Sequence, residues 1–255
     1  MSSIILSQKA VLIILPGWGG TRQTWHEFIR LAEKDFEVRC LELPCFGAEP
    51  EPDSVWGISE YVEFVKNKIL EINYSSSASG QKSDRKLIIL GHSFGGQVAV
   101  QLVGTNSIIC DTLILSGPAI FRKNWSFKAL IFWPIAKLGR LFFSVSPFKK
   151  LEKTVRHVFY KLIDSPDYTQ TSGRTRAIFQ KITKQDVSEF LPQITVPTLV
   201  IAGEGDTSVS ASASARAARL IRKATFVSVS NGTHGLHRQN PIEFLSIIKN
   251  YLTSL

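Results

Sequence analysis

The chain has 255 residues, 44% of them apolar and 20% charged; this suits one large α/β domain or two small ones and excludes a disordered or fibrous protein. Its three cysteines, Cys40, Cys45 and Cys110, form no CxxC pair, so neither a zinc site nor a disulfide framework is indicated, and they read as incidental thiols of a reducing compartment. The net charge of +9 is concentrated: residues 119–182 hold 13 Lys and Arg against 3 acids, a surplus of +10, and the rest of the chain carries −1.

In chain order, Ala10–Leu15 reads as a buried strand and Thr21–Lys34 as a helix with Trp25, Phe28, Ile29 and Ala32 on one face. Phe36–Leu41 is a second strand and Ile58–Ile72 a second helix. Tyr74–Arg85, rich in Ser, Gly and charge, reads as an exposed connection. Lys86–Leu90 is a third strand, Gly95–Val103 a helix and Thr112–Leu115 a fourth strand. The alternation resumes with strand Thr198–Ala202, helix Ser210–Leu220, strand Thr225–Val229 and helix Pro241–Leu252. Strands alternating with helices give a parallel sheet covered on both faces.

Residues 119–190 interrupt this pattern. They are rich in aromatic side chains, and the apolar positions of residues 127–145 recur at helical spacing with a kink expected at Pro134. The expected organisation is a core in two parts, 1–118 and 191–255, with a helical cap inserted at 119–190. No stretch of about 18 uncharged apolar residues exists; residues 127–145 come nearest, and Lys128, Lys137 and Arg140 interrupt them. The N-terminus lacks a basic region and a small-residue cleavage site, so the expectation is a cytoplasmic protein without a transmembrane segment.

The chemistry-bearing signal is Gly91-His92-Ser93-Phe94-Gly95, placed between a strand and a helix. That context makes it a nucleophile elbow. The chain must turn sharply, lifting the Ser93 hydroxyl above the sheet, and glycines flank it because side chains there would collide with backbone. A serine hydroxyl needs a base, and the base needs an orienting carboxylate. Asp206 ends the Gly-rich turn after the fifth strand, and His234 follows the sixth, so both fall at the edge where Ser93 projects. Glu204 and His237 are the alternatives for acid and base; Asp206 and His234 are preferred. His92 is expected to turn its ring away in a structural role, and His26 and His157 carry no local motif. The developing oxyanion needs donors; these are expected to be the backbone N–H of Phe94 and that of Trp18 in the loop Pro16-Gly17-Trp18-Gly19-Gly20.

Together the Gly-Trp-Gly loop, the Gly-x-Ser-x-Gly elbow, the Gly-x-x-Asp turn and His234 with Pro241 seven residues on resemble the α/β-hydrolase superfamily over essentially the whole chain. Within it the chain is similar to small capped carboxylesterases of the pimeloyl-carrier-protein methyl ester esterase type. The resemblance implies an α/β-hydrolase fold with a mostly parallel sheet flanked by helices, a Ser93–His234–Asp206 triad, oxyanion donors at Trp18 and Phe94, and a cap domain. Many members carry His where this chain has Pro16, so the bracing of the oxyanion loop differs here. The expected activity is hydrolysis of a small-molecule carboxylic ester or thioester, with neither metal nor organic cofactor. A carbon–carbon bond hydrolase or lyase on the same triad, or a non-catalytic binding protein of this fold, are the rivals. Trp125, Phe127, Phe132, Trp133, Phe142 and Phe143 are the expected lining of an apolar acyl or aryl pocket. The basic segment reads as a solvated helix face, a dock for an acidic carrier protein or anionic substrate, or an anchor on anionic lipid; no nucleic-acid-binding pattern accompanies it.

Overall fold

The computed structural model describes residues 9–75, 85–122 and 173–255. Most of the expected cap lies outside them. So do the proposed lining residues Trp125, Phe127, Phe132, Trp133, Phe142 and Phe143, the basic side chains of 123–172, and most of the expected connection 74–85.

Six strands form one sheet: β1 (Val11–Leu15), β2 (Glu37–Cys40), β3 (Leu87–His92), β4 (Thr112–Ser116), β5 (Thr198–Gly203) and β6 (Ala224–Val229). Their order is β2-β1-β3-β4-β5-β6 and every pairing is parallel. The chain steps outward from β1 to β2, then returns to pair β3 on the other side of β1. In open α/β sheets ligands bind at such a reversal, beyond the carboxyl ends of the strands, here β1 and β3. Leu15 pairs with Gly91 at this edge, so the loop after β1 and the turn after β3 leave the sheet side by side.

Helices α1 (His26–Ala32), α2 (Ile58–Ser75), α3 (Phe94–Gly104), α4 (Gly173–Ile182), α5 (Ala211–Leu220), α6 (Leu236–Gln239) and α7 (Pro241–Thr253) accompany the strands. Successive strand residues point to opposite faces, and β1 shows the result. Val11, Ile13 and Leu15 join a core with α2, α3, α4 and α5, whereas Leu12 and Ile14 join a second core with α1, α6 and α7. Each such fully buried aliphatic side chain contributes about 1.5–3 kcal/mol of transfer free energy. Local chemistry fixes helix starts. Ser210 Oγ accepts the Ala213 N–H at 3.2 Å to begin α5, and Asn240 Oδ1 accepts the Glu243 N–H at 3.2 Å to begin α7, with Pro241 in the first turn.

Two elements depart from the sequence-based expectation. The segment expected as one helix over Thr21–Lys34 starts as a 3-10 turn, Arg22–Trp25, before α1; the Thr24 hydroxyl bonds back to the Thr21 carbonyl at 2.7 Å and its oxygen accepts the Thr21 N–H at 3.1 Å. The expected inward face, Trp25, Phe28, Ile29 and Ala32, is buried nonetheless. β6 is an edge strand rather than one covered on both faces: Thr225, Phe226 and Ser228 are exposed.

The segment between β4 and β5 is closed where it leaves the sheet. The Val187 N–H donates to the Ile120 carbonyl at 3.1 Å, and the Arg122 N–H donates to the Asp186 carboxylate at 2.8 Å. α4, on the return side of this segment, is tied to the β2–α2 connection. Glu51 accepts from the Thr175 N–H at 3.0 Å, Val55 O accepts from Lys181 Nζ at 2.9 Å, and Gln185 Oε1 accepts from the Ile58 N–H at 2.9 Å.

Candidate active site

Ser93 lies between β3 and α3 with φ 52° and ψ −116°. A non-glycine residue there is strained, at a cost on the order of 1–3 kcal/mol. The turn has no room for side chains: a Cβ on Gly91 would lie 2.7 Å from the Gly95 carbonyl oxygen and 2.8 Å from Ala99 Cβ. The β1–α1 loop presses on the same spot, since a Cβ on Gly17 would lie 3.1 Å from Ser93 Cβ. That loop closes on itself through the Gly20 N–H to the Gly17 carbonyl at 2.9 Å, and Pro16 is buried beneath it. Among the described residues, the N–H groups of Trp18 and Phe94 have no acceptor. Phe94 is the first residue of α3, where helical N–H groups are free and the dipole favours negative charge.

The structure brings Asp206 and His234 together. His234 Nδ1 lies 2.7 Å from Asp206 Oδ2, and the other carboxylate oxygen accepts the N–H groups of Ser208 at 2.8 Å and Val209 at 2.9 Å. Burial pushes the Asp206 carboxyl up, but the His234 hydrogen bond and the two backbone donors outweigh it and hold the group below the usual carboxylate range. With Asp206 ionised, the Nδ1 proton stays on His234 and donates to the carboxylate. The Asp206 side chain is 1% exposed and that of His234 27%, so the acid is sealed and the imidazole is reachable. Glu204, the alternative acid, is turned away and accepts from Ser228 Oγ at 2.8 Å.

The ring of His92 does not turn away, contrary to the expectation from sequence. Its centroid lies 4.7 Å from that of His234 and 4.9 Å from that of His237, and its Nδ1 bonds the Ser116 carbonyl at 2.9 Å. The tight strand-to-helix turn sends the ring into the layer under His234. His237, the alternative base, is buried and stacks on Trp25 at 3.7 Å with planes 6° apart, its Nδ1 unpartnered. Burial pulls His92 well below the ordinary histidine value, with His237 and His234 adding to the effect. Burial likewise takes His237 down to about 3, helped by Arg238 and His234. Both are neutral rings packed around His234, the imidazole that meets the Asp206 carboxylate.

Sequence reasoning missed two supports of this pair. Gly117, just after β4, has φ 49°, and a Cβ there would sit 3.1 Å from Asp206 Oδ2 and 3.2 Å from His234 Nδ1. Its signal was the Ser116-Gly117-Pro118 run at a strand's carboxyl end. Gln239 in α6 fixes the turn before His234: Oε1 accepts the Thr233 N–H at 2.7 Å and Nε2 donates to the Asn231 carbonyl at 2.9 Å. No sequence signal marked it. The thiols of Cys40 and Cys110 are pushed up to about 12 by burial, so they are not nucleophiles here.

The sequence profile of the alpha/beta hydrolase family matches residues 12–247. Among characterised proteins, the chain is 22% identical to a 2-hydroxy-6-oxo-6-(2'-aminophenyl)hexa-2,4-dienoic acid hydrolase of Metapseudomonas resinovorans, over 96% of this chain and 84% of that protein. It is 23% identical to a magnesium-chelatase 30 kDa subunit of Rhodobacter capsulatus, over 89% and 81%. Among solved structures, a bacterial membrane phospholipase A superposes with a TM-score of 0.71 at 21% identity, over 96% of this chain and 79% of that one.

Proposed function

The chain belongs to the alpha/beta hydrolase family, and from that premise we propose that it is a serine hydrolase cleaving carboxylic esters or thioesters through an acyl-enzyme on Ser93. The observation that carries the proposal is the 2.7 Å His234–Asp206 pair at the sheet edge onto which the strained Ser93 turn opens. Ser93 Oγ attacks the carbonyl carbon and gives its proton to His234, whose charged ring Asp206 stabilises. The carbonyl oxygen, now negative, accepts from the Trp18 and Phe94 N–H groups. His234 then protonates the departing alcohol and activates water to release the acid.

A p-nitrophenyl ester series from acetate to long chain, with labelling by a serine-directed phosphonate, tests this. Wild-type turnover and stoichiometric labelling are expected, with both lost in a folded Ser93→Ala variant. Wild-type rates in Ser93→Ala would overturn the assignment. A second reading, hydrolysis of a carbon–carbon bond, is favoured by the dienoic acid hydrolase relative that matches 96% of the chain. Turnover of a 2-hydroxy-6-oxo-dienoic acid in preference to every ester would select it. The +10 carried by residues 119–182 supports an anionic substrate or an acidic carrier protein. In that case apparent KM rises with ionic strength; a flat dependence removes the idea.

A further inference from the structure

The indole of Trp18 is held from three sides. Phe46, from the β2–α2 connection, lies 4.6 Å away with planes at 80°; Phe94, at the start of α3, lies at 5.7 Å; and Phe179, on α4, lies at 5.0 Å. Phe94 is itself braced edge-on by Tyr61 of α2 at 4.9 Å. Two of these rings belong to the two residues whose N–H groups are read above as oxyanion donors. Phe46 and Phe94 are buried in the core, whereas Phe179 is half-buried and comes from the β4–β5 segment.

The loop that carries Trp18 has glycine at 17, 19 and 20, with Gly19 at φ 71°. Such a backbone has wide freedom of its own. The Gly20 N–H holds the carbonyl of the Gly17–Trp18 peptide at 2.9 Å; the indole, the loop's one large side chain, is the second hold on the peptide plane that bears the Trp18 N–H. An oxyanion donor works only at about 2.7–3.1 Å from the developing charge. A misplacement on the order of 1 Å costs about a hundredfold in rate.

We propose that Phe179 is a positioning residue: resting against the Trp18 indole, it locks the Trp18 N–H in place, so that seating α4 on the β2–α2 connection completes the oxyanion hole. The proposal rests on the serine hydrolase reading. α4 has its own anchors through Thr175 and Lys181, and Gln185 adds one just past its end, so removing the Phe179 ring leaves the helix seated and frees one side of the indole.

The test is steady-state kinetics of the full chain with p-nitrophenyl acetate, whose acyl group is too small to need a distant wall, and with p-nitrophenyl octanoate. In Phe179→Ala, kcat on acetate is expected to fall at least tenfold with KM nearly unchanged, and phosphonate labelling of Ser93 to slow in parallel. Phe179→Tyr keeps the ring and is expected to restore both; Phe179→Leu, the milder truncation, is read in the same way if Phe179→Ala fails to fold. An unchanged kcat on acetate with a raised KM only on octanoate makes Phe179 a pocket wall and overturns the proposal. An unchanged profile on both esters overturns it as well, while leaving the serine hydrolase reading standing. Absence of turnover and labelling in the wild type removes that reading and this inference with it.

Discussion

Ser93 holds its hydroxyl up at the expense of backbone comfort. Alanine at this position keeps the strained φ, whereas glycine relieves it. Ser93→Gly is therefore expected to abolish turnover yet raise stability by about 1 kcal/mol or more relative to Ser93→Ala, as measured by denaturant unfolding. Gly117 makes the opposite case. Its φ of 49° and the 3.1 Å approach of a would-be Cβ to the Asp206 carboxylate mean that Gly117→Ala carries both backbone strain and crowding of the His–Asp pair. A loss of about 1–2 kcal/mol in stability, with at least a tenfold fall in kcat, is expected; wild-type kcat in that variant would show that the pair tolerates displacement. Ser93, Asp206 and His234 could be singled out from sequence because each sits in a local motif: a glycine-flanked serine, an acid ending a glycine turn, a histidine after a strand; the structure pairs the last two. Gly117 carried only the Ser116-Gly117-Pro118 run, which marks a turn but not its role, because what it must avoid comes from residues about 90 and 117 positions away along the chain.

At the scale of elements, short apolar runs and helical repeats gave every strand and helix expected outside residues 119–190, and the ends moved by a few residues. The departures were of two kinds. The 3-10 turn before α1 is local, set by Thr24 bonding back to Thr21, whereas the exposure of Thr225, Phe226 and Ser228 on β6 is tertiary: among the described residues β6 is the last strand of the sheet; neither fact shows in hydrophobic spacing. The ring cluster of Trp18, Phe46, Phe94 and Phe179 draws on four separate elements and was unreadable for the same reason. The β6–α6 turn yields its own prediction. Gln239 clamps both Asn231 and Thr233, and neither carbonyl nor N–H can be served by alanine. Gln239→Ala is expected to lower kcat severalfold through misplacement of His234 while costing about 1 kcal/mol, since the clamp is exposed to water. Equal kcat in the variant would show that the turn holds its shape unaided.

For the whole molecule, the buried imidazoles set the response to acid. His237 titrates near 3 in the folded chain against an ordinary value of 6.5, and His92 also lies well below it. Below about pH 6.5 the unfolded chain takes up these protons and the folded one does not, so acid favours unfolding. The His237 effect is nil above that pH and grows as pH falls toward 3, with a slope of up to about 1.4 kcal/mol per pH unit; His92 acts in the same direction. Groups facing His237 include Arg238 and His234, which oppose a positive charge there, and the neutral ring of His92 at 4.9 Å. His237→Phe keeps a flat ring against Trp25 and removes an unpartnered buried nitrogen. Its stability at pH 7 is expected to match or exceed wild type, and its loss between pH 6 and 4 to be shallower by up to about one such slope; parallel curves for the two proteins would acquit His237.

The pinch where Val187 meets Ile120 and Asp186 meets Arg122 gathers the two ends of the β4–β5 segment at one neck, and the bonds of Thr175, Lys181 and Gln185 to the β2–α2 connection give its described part a second hold, so the segment sits like a cartridge in a two-point socket. A foreign cartridge grafted at that neck has no need to renegotiate the register of the strands beneath it. It must still bring an aromatic ring to the berth that Phe179 occupies beside Trp18, or the graft will fold and turn over slowly. Diversification of such a scaffold can thus proceed by exchange of the plug-in, with that berth and the hold on the β2–α2 connection as inherited constraints.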